Sequence, residues 1–313
     1  MSSHFSGKVS GTKLAFIVAA ATAGGLLPHL AVAQSTTDTS GASAQFRVEG
    51  FVGTTSDSRP IGKRKNKDSK GLLPSLSFAY GEAFRGQVDF LAADHAGDNV
   101  LGGAAHLGFK TSAHTVLGIY GSNTRFKSPV KLNSERLGVE FVYQGDKTDL
   151  NVIIGNQKVN NANVTVGTIP GYTVVDTYGA KDGVFTLTNF TYYPRPDWAL
   201  TLGHRYADKH HSGTVGVERA YSLQSATVSL FAEGRFGDKA SRGAWLGLRV
   251  RFGGEGASLQ DRRNQEVYTN HLKDDMYGVE QSRRRSEVAL PVPPPPPPPE
   301  DDDDCVCGAC YAT

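Results

Sequence analysis

Long apolar runs and cysteines are both scarce in this chain of 313 residues. Beyond residue 33 no apolar run approaches the roughly 18 residues that a membrane-spanning helix requires, which excludes a bundle of membrane helices. The three cysteines all lie at or after residue 305, so no disulfide bond cross-links the preceding chain. No block is rich enough in lysine and arginine to predict binding of nucleic acid.

The first 33 residues have the three parts of a secretory signal peptide. Lys8 and Lys13 precede an apolar stretch at residues 14–27, and a small-residue ending predicts cleavage after Ala33. The sequence therefore predicts a signal peptide at residues 1–33 and an exported mature chain.

Residues 44–252 alternate between apolar and polar side chains over stretches of about ten residues, the length of a tilted strand that crosses a bilayer. In one of them Leu137, Val139 and Phe141 alternate with polar neighbours. Twelve such segments are predicted, at 44–53, 75–81, 84–93, 101–111, 114–122, 135–144, 148–157, 184–193, 197–208, 214–222, 226–236 and 243–252. The mean hydropathy of −0.33 fits this pattern, because a barrel averages its outward and inward residues.

The connections between these segments alternate in length. Short ones at 81–83, 112–113, 145–147, 194–196 and 223–225 alternate with longer or polar ones at 54–74, 94–100, 123–134, 158–183, 209–213 and 237–242. The prolines between residues 44 and 252 fall outside every predicted strand. The sequence predicts an all-β fold, a transmembrane up-and-down antiparallel β-barrel of about 12 strands within residues 34–253.

These features together resemble a Gram-negative outer-membrane β-barrel of porin-like type. The resemblance rests on the signal peptide, the alternating strands, the asymmetry of the connections and a last strand that ends in the aromatic Phe252. It implies a location in the outer membrane, among lipid and lipopolysaccharide, with both termini in the periplasm. A departure is that 61 residues follow Phe252.

The alternation assigns twelve charged side chains to the barrel interior, where they are predicted to line a pore. These are Arg47, Glu49, Arg85, Asp89, Lys110, Arg136, Glu140, Arg205, Glu233, Arg235, Arg249 and Arg251. Eight cations against four anions favour a channel for passive diffusion of small, preferentially anionic solutes. The alternative is a barrel plugged by paired charges, with a structural or adhesive role and no transport. The long connection at 158–183 keeps both open, because it could fold inward or project outward.

A third alternative is a hydrolase that modifies lipid A. His210 and Ser212 have the His-x-Ser spacing that weakly resembles lipid A deacylases, with Asp208 or Glu218 available to orient the imidazole. The match covers three residues, and no zinc-protease, phosphate-loop or dinucleotide motif accompanies it. The sequence therefore favours a protein that is not an enzyme and that uses no cofactor.

The residues after the predicted barrel have a different composition. Residues 34–253 carry a net charge of +6 and residues 254–313 a net charge of −6. We expect a polar periplasmic extension at 254–290, followed at 291–313 by a disordered tail with a proline-rich spacer and a run of acids. Cys305, Cys307 and Cys310 then suit a soft-metal site, a disulfide or an unstructured end. A periplasmic partner of the tail is expected.

Overall fold

The computed structural model describes residues 42–56, 66–127, 131–160, 162–169, 172–178, 182–207, 209–223, 226–238, 242–253, 258–282 and 287–291. The predicted signal peptide, Asp208 and the three cysteines lie outside the described residues. Their predicted roles stay predictions.

Twelve strands close into an antiparallel barrel in which the first strand pairs with the last. They are β1 (Ala42–Ser56), β2 (Asn66–Tyr80), β3 (Phe84–His95), β4 (Asp98–Lys110), β5 (Thr115–Phe126), β6 (Leu132–Gln144), β7 (Thr148–Val159), β10 (Gly183–Arg195), β11 (Trp198–Ala207), β12 (His210–Ser222), β13 (Ala226–Gly237) and β14 (Arg242–Gly253). A separate sheet has the order β15–β9–β8 and consists of β8 (Ala162–Ile169), β9 (Tyr172–Tyr178) and β15 (Glu287–Pro291). The predicted all-β barrel of 12 strands is confirmed.

Side chains alternate across the barrel wall as predicted, because successive residues of a strand point to opposite faces. On β6 the apolar Leu137 and Val139 are 67% and 60% exposed on the outside, whereas Arg136 and Glu140 of the same strand are buried. On this strand apolar side chains face outward and charged side chains face inward, although other strands also turn apolar side chains such as Phe51 and Trp245 inward.

Two of the connections predicted to be longer or polar are tight turns. Ala96 and Gly97 join β3 to β4 with φ values of 59° and 83°, the positive values that a type I′ hairpin turn requires. Lys209, with φ of 63°, lies between β11 and β12. β3 ends two residues later than predicted, and β4 and β12 begin three and four residues earlier, because most of the added residues are polar and interrupt the hydropathy pattern.

The two ends of the barrel still differ. The connections at 57–65, 127–131, 160–182 and 238–241 share one end, which we call the loop end. The connections at 81–83, 111–114, 145–147, 196–197 and 223–225 share the other, the turn end, together with the start of β1 and the last residue of β14. The predicted asymmetry therefore holds in part.

Proline positions differ from the prediction at two places. Pro74 lies inside β2, opposite Val48 of β1, but the ladder between β2 and β3 skips residues 73 and 74. Pro194 lies in β10 where the register with β11 shifts between Tyr192 and Arg195. Because proline donates no backbone hydrogen bond, both occupy positions where a ladder is interrupted.

Two helices follow the last barrel strand, α1 (Leu259–Glu266) and α2 (Leu272–Ser282). Helix α1 begins after Ser258, whose hydroxyl accepts a hydrogen bond from the Asp261 backbone N–H. Within the described ranges, no helix combines the length and the apolar character needed to cross a membrane.

Residues 258–282 pack inside the barrel, whereas the sequence predicted a polar periplasmic extension at 254–290. Leu272, Met276 and Tyr277 of α2 are buried in one apolar cluster with wall residues such as Phe51 and Trp245. The polar composition suggested a solvated extension, whereas the barrel interior receives both the charged side chains of these helices and the few apolar side chains of α2. We call residues 258–282 the luminal segment.

Candidate functional site in the barrel lumen

The luminal segment is anchored first at the turn end. Leu259 packs against Tyr193, Ala199 and Ala220, which lie near the turn ends of β10, β11 and β12. The Gln260 backbone N–H donates a hydrogen bond of 3.1 Å to the Pro196 carbonyl oxygen in the turn between β10 and β11. Helix α1 therefore begins at the rim of the barrel.

Glu266, the last residue of α1, bridges two arginines that face each other in the register of β1 and β14. The Arg47 Nη1 atom lies 2.9 Å from Glu266 Oε2, and the Arg251 Nε atom lies 3.0 Å from Glu266 Oε1. All three residues are buried. Charge-assisted hydrogen bonds of this length are among the stronger polar contacts in proteins, so they hold α1 to the wall.

The first turn of α2 presents two further acids to wall arginines. Asp274 Oδ1 lies 3.0 Å from Arg205 Nε and also pairs with the guanidinium of Arg235. Asp275 pairs with Arg136. Three acids of the luminal segment therefore meet five of the eight cations predicted to line the interior.

The cations of the luminal segment meet wall acids in the same way. Lys273 Nζ lies 2.7 Å from Glu233 and 3.3 Å from Glu49. Arg263 Nη2 lies 2.7 Å from Glu218 Oε2. The charges of the segment and the wall are thus complementary in both signs.

Glu218 is an interior acid that the sequence prediction did not place in the lumen. It is buried and accepts hydrogen bonds from Arg251, Ser229 and Arg249 as well as from Arg263. The sequence offered one signal for this position: Glu218 lies two and four residues from other inward side chains of β12, and such residues share one face of a strand. With Glu218 included, the positive surplus of the wall is smaller than predicted.

His106 is a second interior residue that the prediction missed. Its ring nitrogens lie 2.6 Å from Glu140 Oε2 and 3.1 Å from Asp89 Oδ2, and its side chain is 0% exposed. The Tyr268 ring of the luminal segment stacks on the imidazole with 5.0 Å between centroids. Because a neutral imidazole carries only one N–H, the two carboxylate contacts fit a ring protonated on both nitrogens.

Ten of the twelve predicted interior residues take part in these ion pairs, including Arg249, which lies 2.6 Å from Glu49. The other two lie near the turn end. Lys110 is exposed, and the half-buried Arg85 donates hydrogen bonds to the backbone carbonyls of Gly81 and Phe84. Their predicted role in lining a pore stays a prediction.

Aromatic side chains are concentrated on the outer surface near the turn end. They are Phe46, Phe78, Tyr80, Phe84, Phe109, Tyr143, Tyr192, Trp198, Tyr221 and Phe252. Several form pairs, and the Phe84 and Phe109 ring centroids are 5.6 Å apart. The guanidinium of Arg219 lies over the rings of Trp198 and Tyr221. Such a belt is typical of a barrel surface at a membrane–water interface.

The His-x-Ser pair of the hydrolase alternative faces the interior. Ser212 is buried on the inward face of β12, and His210 lies on the same face, 4.0 Å from an Asp238 carboxylate oxygen. The intervening His211 is exposed on the outside, where its ring contacts that of His204. The pair therefore does not face the surface on which a membrane lipid would bind.

Among the residues that the structure describes, no group of three or more His, Cys, Asp or Glu side chains could hold a metal ion. The hypothesis of a soft-metal site or disulfide at Cys305, Cys307 and Cys310 is untested, because these residues are not described.

No protein-family model and no curated protein matches the chain. It is similar to the solved structure of the KdgM porin in complex with disordered oligogalacturonate, at 10% identity and a TM-score of 0.44 over 67% of this chain and 99% of that one. It is also similar to the translocator domain of the autotransporter NalP from Neisseria meningitidis, at 9% identity and a TM-score of 0.45 over 74% and 94%. An outer-membrane channel from Pseudomonas putida F1 gives 12% identity and a TM-score of 0.44 over 68% and 96%. Likeness at this level does not assign a function to the chain.

Proposed function

We propose that this protein is an outer-membrane channel of porin-like architecture, whose lumen is occluded by its own C-terminal helices. The observation that carries the proposal is the set of buried ion pairs between three acids of the luminal segment, Glu266, Asp274 and Asp275, and five wall arginines. A segment held by such pairs fills the space through which solutes would pass.

The outer surface of the barrel supports a membrane location. Apolar side chains such as Leu137 and Val139 project outward at mid-strand, and the aromatic belt follows the turn end. Closure of the barrel pairs every wall strand on both sides, which lipid requires because it offers no hydrogen bonds to an open edge.

The same ion pairs determine how many wall arginines are left to attract anions. With the luminal segment in place, the acids of α1 and α2 neutralise wall arginines. Without it, Arg47, Arg136, Arg205, Arg235 and Arg251 would each lose a carboxylate partner. We therefore propose that the open barrel favours small anions and that the occluded one conducts poorly.

Planar-bilayer recording tests the occlusion. We expect purified full-length protein to show few or no conducting steps, and a chain that lacks residues 254–313 to show frequent steps of larger conductance. A chain that lacks only residues 292–313 is the matched control and should stay closed, because it keeps both helices. Porin-like steps from the full-length protein would contradict the proposal, and silence of both chains would favour the structural or adhesive alternative.

A charge reversal provides the same test without shortening the chain. Asp275→Arg places a cation against Arg136 inside the barrel, which should expel α2 and raise conductance. Glu82→Arg is the control, since it makes the same change of charge in an exposed turn. Equal conductance of the two variants would count against occlusion by α2.

Ion selectivity is tested on the chain that lacks residues 254–313. We expect the reversal potential in a KCl gradient to show an anion preference, because the arginines of the wall keep their charge. Replacing Arg136 and Arg205 by glutamine should weaken that preference, whereas replacing the outward-facing Arg125 and Arg219 should leave it unchanged. A cation preference in the shortened chain would refute the proposed selectivity.

A further inference from the structure

We infer that the C-terminal segment threads the barrel from the turn end to the loop end, so that the barrel displays the residues after Pro291 on the outer face of the membrane. The inference rests on the proposed outer-membrane location and goes beyond occlusion, because it gives the barrel a second function as the carrier of its own C-terminus.

The path begins at the turn end. β14 finishes at Gly253, whose carbonyl oxygen accepts a hydrogen bond from the side chain of Arg262. The Gln260 side chain donates to the carbonyl oxygen of Asp146, which lies in the turn between β6 and β7. Helix α1 is therefore fastened to the rim where the last strand ends.

The path then rises through the lumen. Tyr268 packs against Val116 and Val142, close to the turn ends of β5 and β6. Further along, the Tyr277 ring lies 5.6 Å from the ring of Trp245, which is only three residues from the loop-end start of β14. Nine residues of the luminal segment thus lead from one end of the wall towards the other.

The path ends in strand pairing outside the barrel sheet. β15 pairs antiparallel with β9, and Ala289 lies opposite Val174 in that register. β9 belongs to the connection between β7 and β10, which leaves and re-enters the barrel at the loop end. The C-terminal segment therefore leaves β14 at the turn end and forms strand pairs with a connection at the loop end.

This path changes the predicted side of the tail. An even number of strands places both ends of the wall on the periplasmic side. The luminal segment adds one further crossing, made inside the barrel, so the residues after Pro291 continue from the outer face. The acidic and cysteine-containing sequence of residues 300–310 would then meet partners outside the cell and not in the periplasm.

Thiol labelling of intact cells tests the inference, because the native cysteines all lie in the tail. In the full-length chain with Cys305→Ser and Cys307→Ser, Cys310 remains as a single thiol that cannot form an intrachain disulfide. We expect a membrane-impermeant maleimide to label Cys310 in intact cells, without permeabilisation of the outer membrane.

Two controls in a cysteine-free background define the sides. Lys127→Cys marks the loop end and Ser112→Cys the turn end, and both positions are exposed. The inference holds if Cys310 is labelled under the same conditions as Lys127→Cys. It is overturned if Cys310, like Ser112→Cys, is labelled only after permeabilisation.

Cysteine cross-linking tests the strand pairing directly. In the cysteine-free background, Val174→Cys with Ala289→Cys places thiols at paired positions, and we expect a disulfide that shifts migration on a non-reducing gel. Ser112→Cys with Ala289→Cys is the control and should not cross-link. Cross-linking of the control but not of the paired variant would overturn the inference.

The two proposals can fail separately. If removal of residues 254–313 leaves conductance unchanged, the occluded-channel proposal fails whichever control Cys310 follows. If Cys310 follows Ser112→Cys while that removal opens the channel, only the threading fails.

Discussion

At the scale of single residues, the interior of the barrel is built from charges that have partners on both strands and helices. Glu218 binds Arg249 and Arg251 of the wall together with Arg263 of the luminal segment. Removing one member of a buried ion pair typically costs about 3–5 kcal/mol, because the partner is left charged and buried. Each such group therefore couples the position of the helices to the stability of the wall.

His106 offers a prediction at this scale. His106→Leu removes the group between Asp89 and Glu140, and leaves both carboxylates buried with fewer hydrogen bonds. We expect the free energy of unfolding to fall by about 3–5 kcal/mol, so that the variant unfolds at a lower urea concentration. Folded and unfolded barrels migrate differently on a gel run without boiling, and their proportions at increasing urea concentrations give the midpoint of unfolding. His114→Leu, which changes an exposed turn residue, should leave the midpoint unchanged, and equal midpoints for both variants would refute the role given to His106.

At the scale of elements, β4 has a glycine at the position where α2 packs against it. Gly102 faces the interior, and a Cβ atom there would lie 3.2 Å from Leu272 Cδ2 and 3.1 Å from Thr124 Oγ1. That spacing is tighter than ordinary van der Waals contact, so any larger side chain must move its neighbours. The glycine was visible in the sequence, but its neighbour on α2 lies 170 residues away along the chain and was not.

The close packing of α2 against Gly102 predicts the effect of a substitution at that position. Gly102→Phe should displace Leu272 and raise the conductance of the full-length protein. Gly103→Phe is the matched control, because residue 103 faces outward and a Cβ there would meet nothing nearer than 3.8 Å. Planar-bilayer recording compares the two variants, and a closed channel in Gly102→Phe that still folds would argue against displacement of α2.

At the scale of the whole molecule, a membrane location predicts a cost for charge on the outer wall. Val139→Arg places a cation at the middle of β6 on the outside, and we expect it to lower the free energy of unfolding from lipid vesicles by about 2–4 kcal/mol. Glu135→Arg, near the loop end of the same strand, should cost at most about 1 kcal/mol. Equal costs at the two positions would contradict burial of the outer wall in lipid.

The sequence by itself determined the wall of this protein. Strand residues repeat with a period of two, so alternation in segments such as 135–144 reveals both the strand and its inward face. The alternating lengths of the connections then predicted a closed antiparallel barrel, and the side-chain alternation assigned residues such as Arg136 and Glu140 to its interior. Turns such as 96–97 were missed, because polar strand ends do not alternate in hydropathy.

Only the tertiary structure decided what fills the interior of the barrel. α1 is polar and α2 has few apolar residues, so in the sequence both helices resemble solvated ones. The signal that distinguishes them is the complementarity of their charges to a surface not yet known. That surface is assembled by closure of the barrel from residues far apart in the chain. Arg47 and Glu266 are 219 positions apart, and their pairing follows only when β1 meets β14.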